Sequence, residues 1–224
     1  MRRFFLKELE SLRNDLLRMS DKSVGCVTDV LNALENQDAG LARKVLEDDD
    51  EIDQLEVTID GEAVRYITLR APVAGDVRLV TVAMKTSHDL ERIGDEASSI
   101  AKRTLRIIES SEDLDLGAIR KMGDMALALV RESIQCLLEE DAAKAIAIPP
   151  KDKAIDILHK ENYAHFTKLI SANPSQAHTF VELIFISKSL ERVGDHATNI
   201  AEEIVYLLEG HDVRHTDEVK RSAT

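Results

Sequence analysis

Apolar side chains along most of the chain recur at steps of three and four residues, the period of a helix with one buried face. One such stripe runs from Val45 to Tyr66, and another runs from Ile93 to Ile107. No stretch of useful length alternates apolar and polar residues, as a half-buried strand would. The pattern therefore predicts an all-α protein.

The chain contains an internal repeat with an offset of one hundred residues. Residues 90–101 read LERIGDEASSIA and residues 190–201 read LERVGDHATNIA, so eight of the twelve positions are identical. Upstream the offset is 103 residues, and it relates Asp49 to Asp152. Self-similarity of this kind marks a duplicated structural unit.

Each copy divides into three predicted helices, because proline and short polar runs end helices. The breaks fall at residues 35–38, 71–75, 139–141 and 171–174. We therefore expect two tandem, pseudo-symmetric three-helix bundles, over residues 1–110 and 113–210. A seam lies at Ser110–Asp113, and residues 211–224 are expected to form a loose polar tail.

Composition narrows the class of partner. The net charge of −13 would repel phosphate backbones, so we do not expect nucleic acid to bind.

Neither cysteine, Cys26 or Cys136, belongs to a CxxC motif, and we expect both to be free thiols. The amino-terminal apolar run is too short for a signal peptide and no stretch approaches a membrane span, so we expect a cytoplasmic protein without membrane insertion.

Paired carboxylates are the candidate chemistry. Glu91 and Asp95 lie four residues apart, so a helix places them on one face, away from its apolar stripe. The second copy repeats the pair, and the preceding helix of each copy carries another pair with the same spacing. The full candidate metal set is Asp49, Asp53, Glu91, Asp95, Asp152, Asp156, Glu191 and Asp195. Four converging carboxylates in each bundle would repel one another unless cations or protons neutralise them, and oxygen-rich sites of this kind suit Mg, Mn, Fe or Ca.

The alternative is that these acids form solvated helix faces. Two repeated mid-helix glycines, Gly94 and Gly194, favour the metal hypothesis, because glycine weakens a helix and its repetition indicates close helix approach or access to the carboxylates. We expect Arg92 and Arg192 to pair with neighbouring acids. The histidines His88, His159 and His196 are expected to be surface residues rather than ligands.

Enzyme signatures are absent from the sequence. There is no GxxxxGK[ST], GxGxxG, GxSxG or HExxH motif. None of the seven histidines follows a glutamate by three residues, as the ligands of ferritin-like di-iron enzymes do. We therefore expect a protein that is not an enzyme.

The doubled Leu-Glu-Arg-hydrophobic-Gly-Asp-x-Ala motif resembles the PhoU family of phosphate-uptake regulators. The resemblance runs from about residue 3 to 210 and includes the Asp-x-x-Ile-Asp-x-Leu-Glu block that ends at Glu56. It implies two three-helix bundles with multinuclear iron, zinc or related clusters on their outer surfaces. It also assigns the eight candidate carboxylates to the metal motifs of the family.

The resemblance implies a cytoplasmic adaptor between the ATPase of a high-affinity phosphate ABC transporter and a sensor histidine kinase. Such an adaptor represses phosphate-starvation genes when phosphate is plentiful. We also expect a homodimer. Two alternatives stay open: an accessory regulator of a low-affinity phosphate transporter, and a metal-storage or metal-dependent bundle protein.

The second copy departs from the first at Pro149-Pro150, just before Asp152. Two prolines are expected to interrupt or kink the second helix of that copy. We therefore expect weaker metal occupancy in the second bundle.

Overall fold

The computed structural model describes residues 2–110 and 114–213, with side chains from residue 7 onward. Over these residues the chain forms one short 3-10 helix, Pro174–Gln176, and seven α-helices. They are α1 (Arg2–Asn36), α2 (Ala39–Arg70), α3 (Ala74–Ser110), α4 (Gly117–Glu139), α5 (Ala142–Ile146), α6 (Ile148–Ala172) and α7 (Ala177–Glu209). The described ranges contain no strand, so the all-α prediction is confirmed. Seam residues 111–113 and tail residues 214–224 lie outside the described residues.

The helix boundaries repeat between the two copies. Asp38 caps α2 by accepting a hydrogen bond from the Leu41 amide at 2.9 Å, and Asp141 caps α5 by accepting one from the Lys144 amide at 2.9 Å. The two caps are separated by the 103-residue offset of the repeat. A carboxylate at this position satisfies an amide that the first turn of a helix leaves without a partner. Helices α1, α2 and α3 form the first bundle, and α4 to α7 form the second.

The prolines of the second copy break its second helix, as predicted. Helix α5 ends at Ile146, and α6 begins at Ile148 with Pro149 and Pro150 in its first turn. Proline is tolerated there because the first turn needs no amide donors of its own. Asp152 lies just after the prolines on a regular helix, so the interruption falls before the candidate ligand and leaves it in place.

Helices α3 and α7 pack antiparallel and join the two bundles. Apolar side chains of both halves form one continuous core, which includes the predicted stripe residues Ile93 and Ile100 and their counterparts Val193 and Ile200. The motif helices of both copies are therefore central elements. No helix among the described residues is both long and apolar enough to cross a bilayer.

The α3–α7 contact has approximate two-fold symmetry. Near one end, Lys85 forms an ion pair with Glu203 at 2.9 Å. At the corresponding place near the other end, the Arg103 guanidinium carbon lies 4.2 Å from the ring centroid of Phe185. The one-hundred-residue offset converts the first pair into the second, since Lys85 corresponds to Phe185 and Arg103 to Glu203. The repeat seen in the sequence is therefore also a repeat in space.

Candidate metal centres

The two repeated glycines lie where the second helix of each bundle crosses the third. A side-chain carbon added at Gly94 would come within 2.9 Å of Ile52 Cδ1 and 3.2 Å of Asp49 Oδ1. One added at Gly194 would overlap Asp152 Oδ1. Glycine therefore allows the crossing helix to approach closely and leaves space for a carboxylate over the helix backbone. The repeated glycines therefore fit both explanations, close helix approach and access to the carboxylates.

The second bundle contains a compact acidic group made of Asp152, Asp156 and Asp195. One carboxylate oxygen of each lies within 4.8 Å of the others. Asp152 is only 8% exposed, and its Oδ1 accepts no hydrogen bond from any described residue. The fourth predicted member, Glu191, instead pairs with the Lys188 ammonium.

Burial and mutual repulsion hold protons on this second group. Burial, and then the negative charges of Asp195 and Asp156, raise the pKa of Asp152 to about 7. Burial also raises the pKa of Asp195, with further contributions from Glu191 and Asp156, while the Lys188 ammonium opposes the rise. The group therefore carries unfavourable negative charge that a cation would relieve.

The first bundle gathers a different set: Glu56, His88 and Glu91. One donor atom of each lies within 4.8 Å of the others, and His88 Nδ1 lies 3.1 Å from Glu56 Oε1. Glu91 Oε2 is buried and makes no hydrogen bond among the described residues, but Arg92 Nε lies 3.5 Å from it as an ion-pair partner. A cavity of about 480 Å³, lined by Glu56 and His88 on one side and by Glu203 on the other, borders this group.

The remaining acids of the first bundle surround this group. Burial, and then the charge of Asp95, raise the pKa of Glu91 to about 6. Burial is also the main cause that raises the pKa of Asp49 and of Asp53, and the charge of Asp95 contributes to both. Arg92 Nη1 donates to Asp95 at 3.2 Å, in line with the expected pairing of this arginine with a neighbouring acid.

The predicted set is therefore only partly assembled into tight groups. In the second bundle three of the four predicted carboxylates converge, whereas in the first bundle only Glu91 belongs to the tight group. Asp49, Asp53 and Asp95 lie outside that group and contribute through their charges.

Sequence reasoning missed Glu56 and His88 as site residues. Two spacings could have identified them: Glu56 lies three residues after Asp53, and His88 lies three residues before Glu91. In the ferritin-like pattern the glutamate precedes the histidine by three residues, whereas here His88 precedes Glu91.

Of the three histidines expected at the surface, two are only partly exposed. His159 and His196 are half-buried and hydrogen-bonded, whereas His88 is exposed. His159 Nδ1 lies 3.0 Å from Ser187 Oγ. His196 Nδ1 lies 2.8 Å from Asp89 Oδ1, across the contact between α3 and α7. These rings turn inward because each finds a polar partner on an adjacent helix.

The donor atoms fit a cation chemically. Buried polar atoms are normally hydrogen-bonded, but two buried carboxylate oxygens among the described residues, Asp152 Oδ1 and Glu91 Oε2, make no hydrogen bond. Arg92 Nε lies 3.5 Å from Glu91 Oε2 as an ion-pair partner, so Asp152 Oδ1 is the stronger argument for a cation. Carboxylate oxygens suit Mg, Mn and Ca, and the addition of an imidazole suits Zn and Fe as well.

Comparison with known proteins supports the same fold and repeat. A sequence model of the PhoU domain matches residues 16–104 and 119–204. The chain is 39% identical over 212 residues to the phosphate-specific transport system accessory protein PhoU homolog of Pseudomonas aeruginosa, covering 94% of this chain and 88% of that protein. It is 31% identical to the accessory protein PhoU of Escherichia coli, with coverage of 94% and 88%.

Solved structures agree over nearly the whole chain. The crystal structure of PhoU from Pseudomonas aeruginosa matches with a TM-score of 0.89 at 38% identity, covering 92% of this chain and all of that one (100%). The phosphate transport system regulatory protein PhoU from Streptococcus pneumoniae matches with a TM-score of 0.84 at 29% identity, covering 93% and 99%. Two tandem PhoU domains, matched in sequence and in fold, show that this chain belongs to the PhoU family.

Proposed function

We propose that this chain is a non-catalytic accessory protein that regulates phosphate transport in the cytoplasm. The observation that carries the proposal is the match across both copies to proteins named for phosphate-specific transport, which extends over 94% of the chain. In this role it represses the phosphate-starvation response when phosphate is plentiful. It does so by binding the ATPase of the phosphate ABC transporter and a sensor histidine kinase.

Metal ions, with iron or zinc favoured, are part of the proposal. The convergent acids and the buried Asp152 Oδ1, which makes no hydrogen bond with any described residue, support them. When bound, such ions supply positive charge on the outer surface of an otherwise acidic protein. The chain itself positions Asp152 over Gly194 and holds Glu56 against His88, so that the donor atoms are placed before an ion arrives.

In this proposal, the surface charge of the chain determines which partner surfaces it binds. The net charge of −13 favours basic partner surfaces, and long-range attraction mainly sets the encounter rate and the specificity. Helix α2, which also carries Glu56, has the exposed acids Glu47 and Asp50. We also propose a homodimer, which light scattering of the purified protein tests directly.

The test is a deletion strain that carries a reporter for a phosphate-starvation gene. Deletion should leave the reporter on in phosphate-rich medium, and the intact gene should switch it off. Double charge reversal at Glu47 and Asp50 should fail to restore repression, whereas the same reversal at the exposed α1 residues Glu10 and Asp21 should restore it. Purified wild-type protein should bind both the ATPase and the kinase.

Other outcomes separate the alternatives. Normal repression in the deletion strain, together with no binding to either partner, would overturn the proposal. Loss of low-affinity phosphate uptake alone would favour regulation of that transporter instead. Altered cellular metal content with unchanged phosphate regulation would favour metal storage.

A further inference from the structure

Positions 88 and 188 are equivalent in the repeat, but they carry different chemistry. Each lies three residues before the glutamate of the doubled motif, as His88 before Glu91 and Lys188 before Glu191. We propose that this difference gives the two bundles different metal preferences. His88 completes a nitrogen-containing site for a transition-metal ion such as Zn²⁺, whereas Lys188 leaves the second bundle with an oxygen-only site for harder ions. The inference rests on the proposed metal binding and specifies which ion each site takes.

The first site has the donor set of a transition-metal centre. Glu56, His88 and Glu91 each offer one atom within 4.8 Å of the others, close enough for one ion to contact all three. Imidazole suits Zn, Cu, Fe and Ni, while Mg and Ca take oxygen ligands. The His88 side chain is 56% exposed, so an ion reaches the group from solvent without helix movement. Arg92 Nε lies 3.5 Å from Glu91 Oε2, so the argument for an ion here rests on the convergence of the three donor atoms.

The second site lacks both special residues of the first. Lys188 places its ammonium on Glu191, so a built-in cation already neutralises that carboxylate and repels a metal ion at this position. His159 is the counterpart of Glu56, but its Nδ1 lies near Ser187 Oγ instead of joining the acidic group. What remains is the carboxylate group that includes Asp152, whose buried Oδ1 has no hydrogen-bond partner within the described ranges.

A simpler interpretation treats Glu56 and His88 as an exposed charge pair. Such a pair accounts for the 3.1 Å contact, but it does not account for the Glu91 carboxylate oxygen that lies within 4.8 Å of both residues. The two interpretations differ in what happens when metal is added. Only the metal site requires nitrogen from His88 to bind the ion.

The experiment exchanges the two residues. His88→Lys installs the residue of the second copy in the first, and Lys188→His does the reverse. His88→Gln removes the imidazole without adding charge, and His165→Gln, at an exposed histidine of α6 outside both groups, is the matched control. Chelator-treated protein is loaded with Cu²⁺ for electron paramagnetic resonance and titrated separately with Zn²⁺ and Mn²⁺ by calorimetry.

The wild-type protein should show nitrogen hyperfine coupling to Cu²⁺ that is lost in His88→Gln and His88→Lys and retained in His165→Gln. Zn²⁺ affinity at the first site should fall at least about tenfold in both His88 variants, while Mn²⁺ binding to the second bundle stays unchanged. Lys188→His should add Zn²⁺ binding to the second bundle.

Two failures are distinguishable. If metal binds but the nitrogen signal and the Zn²⁺ affinity survive the loss of His88, the assignment of His88 is wrong and metal binding stands. If neither Zn²⁺ nor Mn²⁺ binds any of these proteins, the proposed metal function itself is wrong, and this inference fails with it. Circular dichroism and thermal melting confirm that each variant is folded before either conclusion is drawn.

Discussion

Asp152 Oδ1 lies so close to the backbone of Gly194 that no side-chain carbon fits between them. The contact joins the second and third helices of the second bundle at the centre of its acidic group. Gly194 belongs to the doubled motif, and Asp152 is the residue that the 103-residue offset of the repeat makes equivalent to Asp49. Helix packing and ligand placement are therefore determined by the same pair of residues.

Gly194→Ala should destabilise the protein by about 1–3 kcal/mol, because the added methyl group overlaps the Asp152 carboxylate and contacts Ile155. Gly25→Ala is the matched control, since it also lies within a helix but nothing lies within 4 Å of the added carbon. The control should stabilise the protein by about 0.5–1 kcal/mol through helix propensity. Urea unfolding of both variants measures the difference, and equal stabilisation by the two would show that the close contact is absent.

Asp152→Asn should stabilise metal-free protein, and the gain should grow as the pH rises. The folded-state pKa of Asp152 is raised from 3.8 to about 7, so the folded protein binds the extra proton between these values. Stability then falls as the pH rises through that window and stays low above it. The rise in the pKa of Asp152 corresponds to roughly 4 kcal/mol of stability lost at high pH. Asparagine avoids this loss because it carries no charge.

Denaturant titrations at several pH values between 4 and 8, on chelator-treated protein, measure this effect. Asp21→Asn, which removes an exposed carboxylate of α1, is the matched control. A wild-type profile that rises across the whole range in parallel with Asp152→Asn would contradict the raised pKa.

Metal affinity should weaken as the pH falls from 8 to 5. An ion at the second group must displace the proton held by Asp152, whose pKa is about 7. An ion at the first group must displace the proton held by Glu91, whose pKa is about 6. Below those values each displaced proton lowers the apparent affinity about tenfold per pH unit. Calorimetry in buffers of different ionisation enthalpy counts the released protons, and binding without proton release at pH 6 would contradict the assignment.

Glu182→Gln should cost about 1.5–3 kcal/mol, because the 5% exposed Glu182 carboxylate accepts charge-assisted hydrogen bonds from Arg103 and Arg106, whose side chains are 22% and 55% exposed. Burial alone would raise the pKa of Glu182, but hydrogen bonds from Arg103 at 2.8 Å and Arg106 at 3.1 Å outweigh it and hold the pKa below its ordinary 4.5. Its contribution is therefore present above pH 4.5 and is lost as the pH falls through the lower folded-state value. Glu139→Gln breaks an exposed pair with Lys144 and is the matched control, whose stability should change far less.

Periodicity and the repeat predicted the helices and their breaks because both follow from local rules. Apolar spacing determines which face of a helix is buried. The prolines near residues 72 and 174 mark helix breaks because proline cannot continue the helix before it. The break before α6 was likewise expected, but its effect on Asp152 was not. The prolines fall in the first turn, where they leave the rest of the helix regular.

The membership of the metal groups depended on packing that spacing does not contain. The offset assigned Asp49 and Asp152 the same role, yet only Asp152 joins a tight group of donors. Glu56 and His88 lie on different helices and meet only because α2 and α3 cross at the required height. The inward position of His196 likewise depends on Asp89 of the other bundle, which no feature of either copy alone indicates.

The two-fold contact between α3 and α7 has an evolutionary consequence. In a symmetric dimer of identical three-helix units, the same pair of residues would meet at both ends of the contact. Every substitution would therefore change both places at once. Fusion of two units into one chain removes that constraint. Lys85 with Glu203 and Phe185 with Arg103 illustrate the outcome, an ion pair at one place and a cation resting on an aromatic ring at the other. A duplicated gene can in this way keep a symmetric scaffold while its two halves specialise.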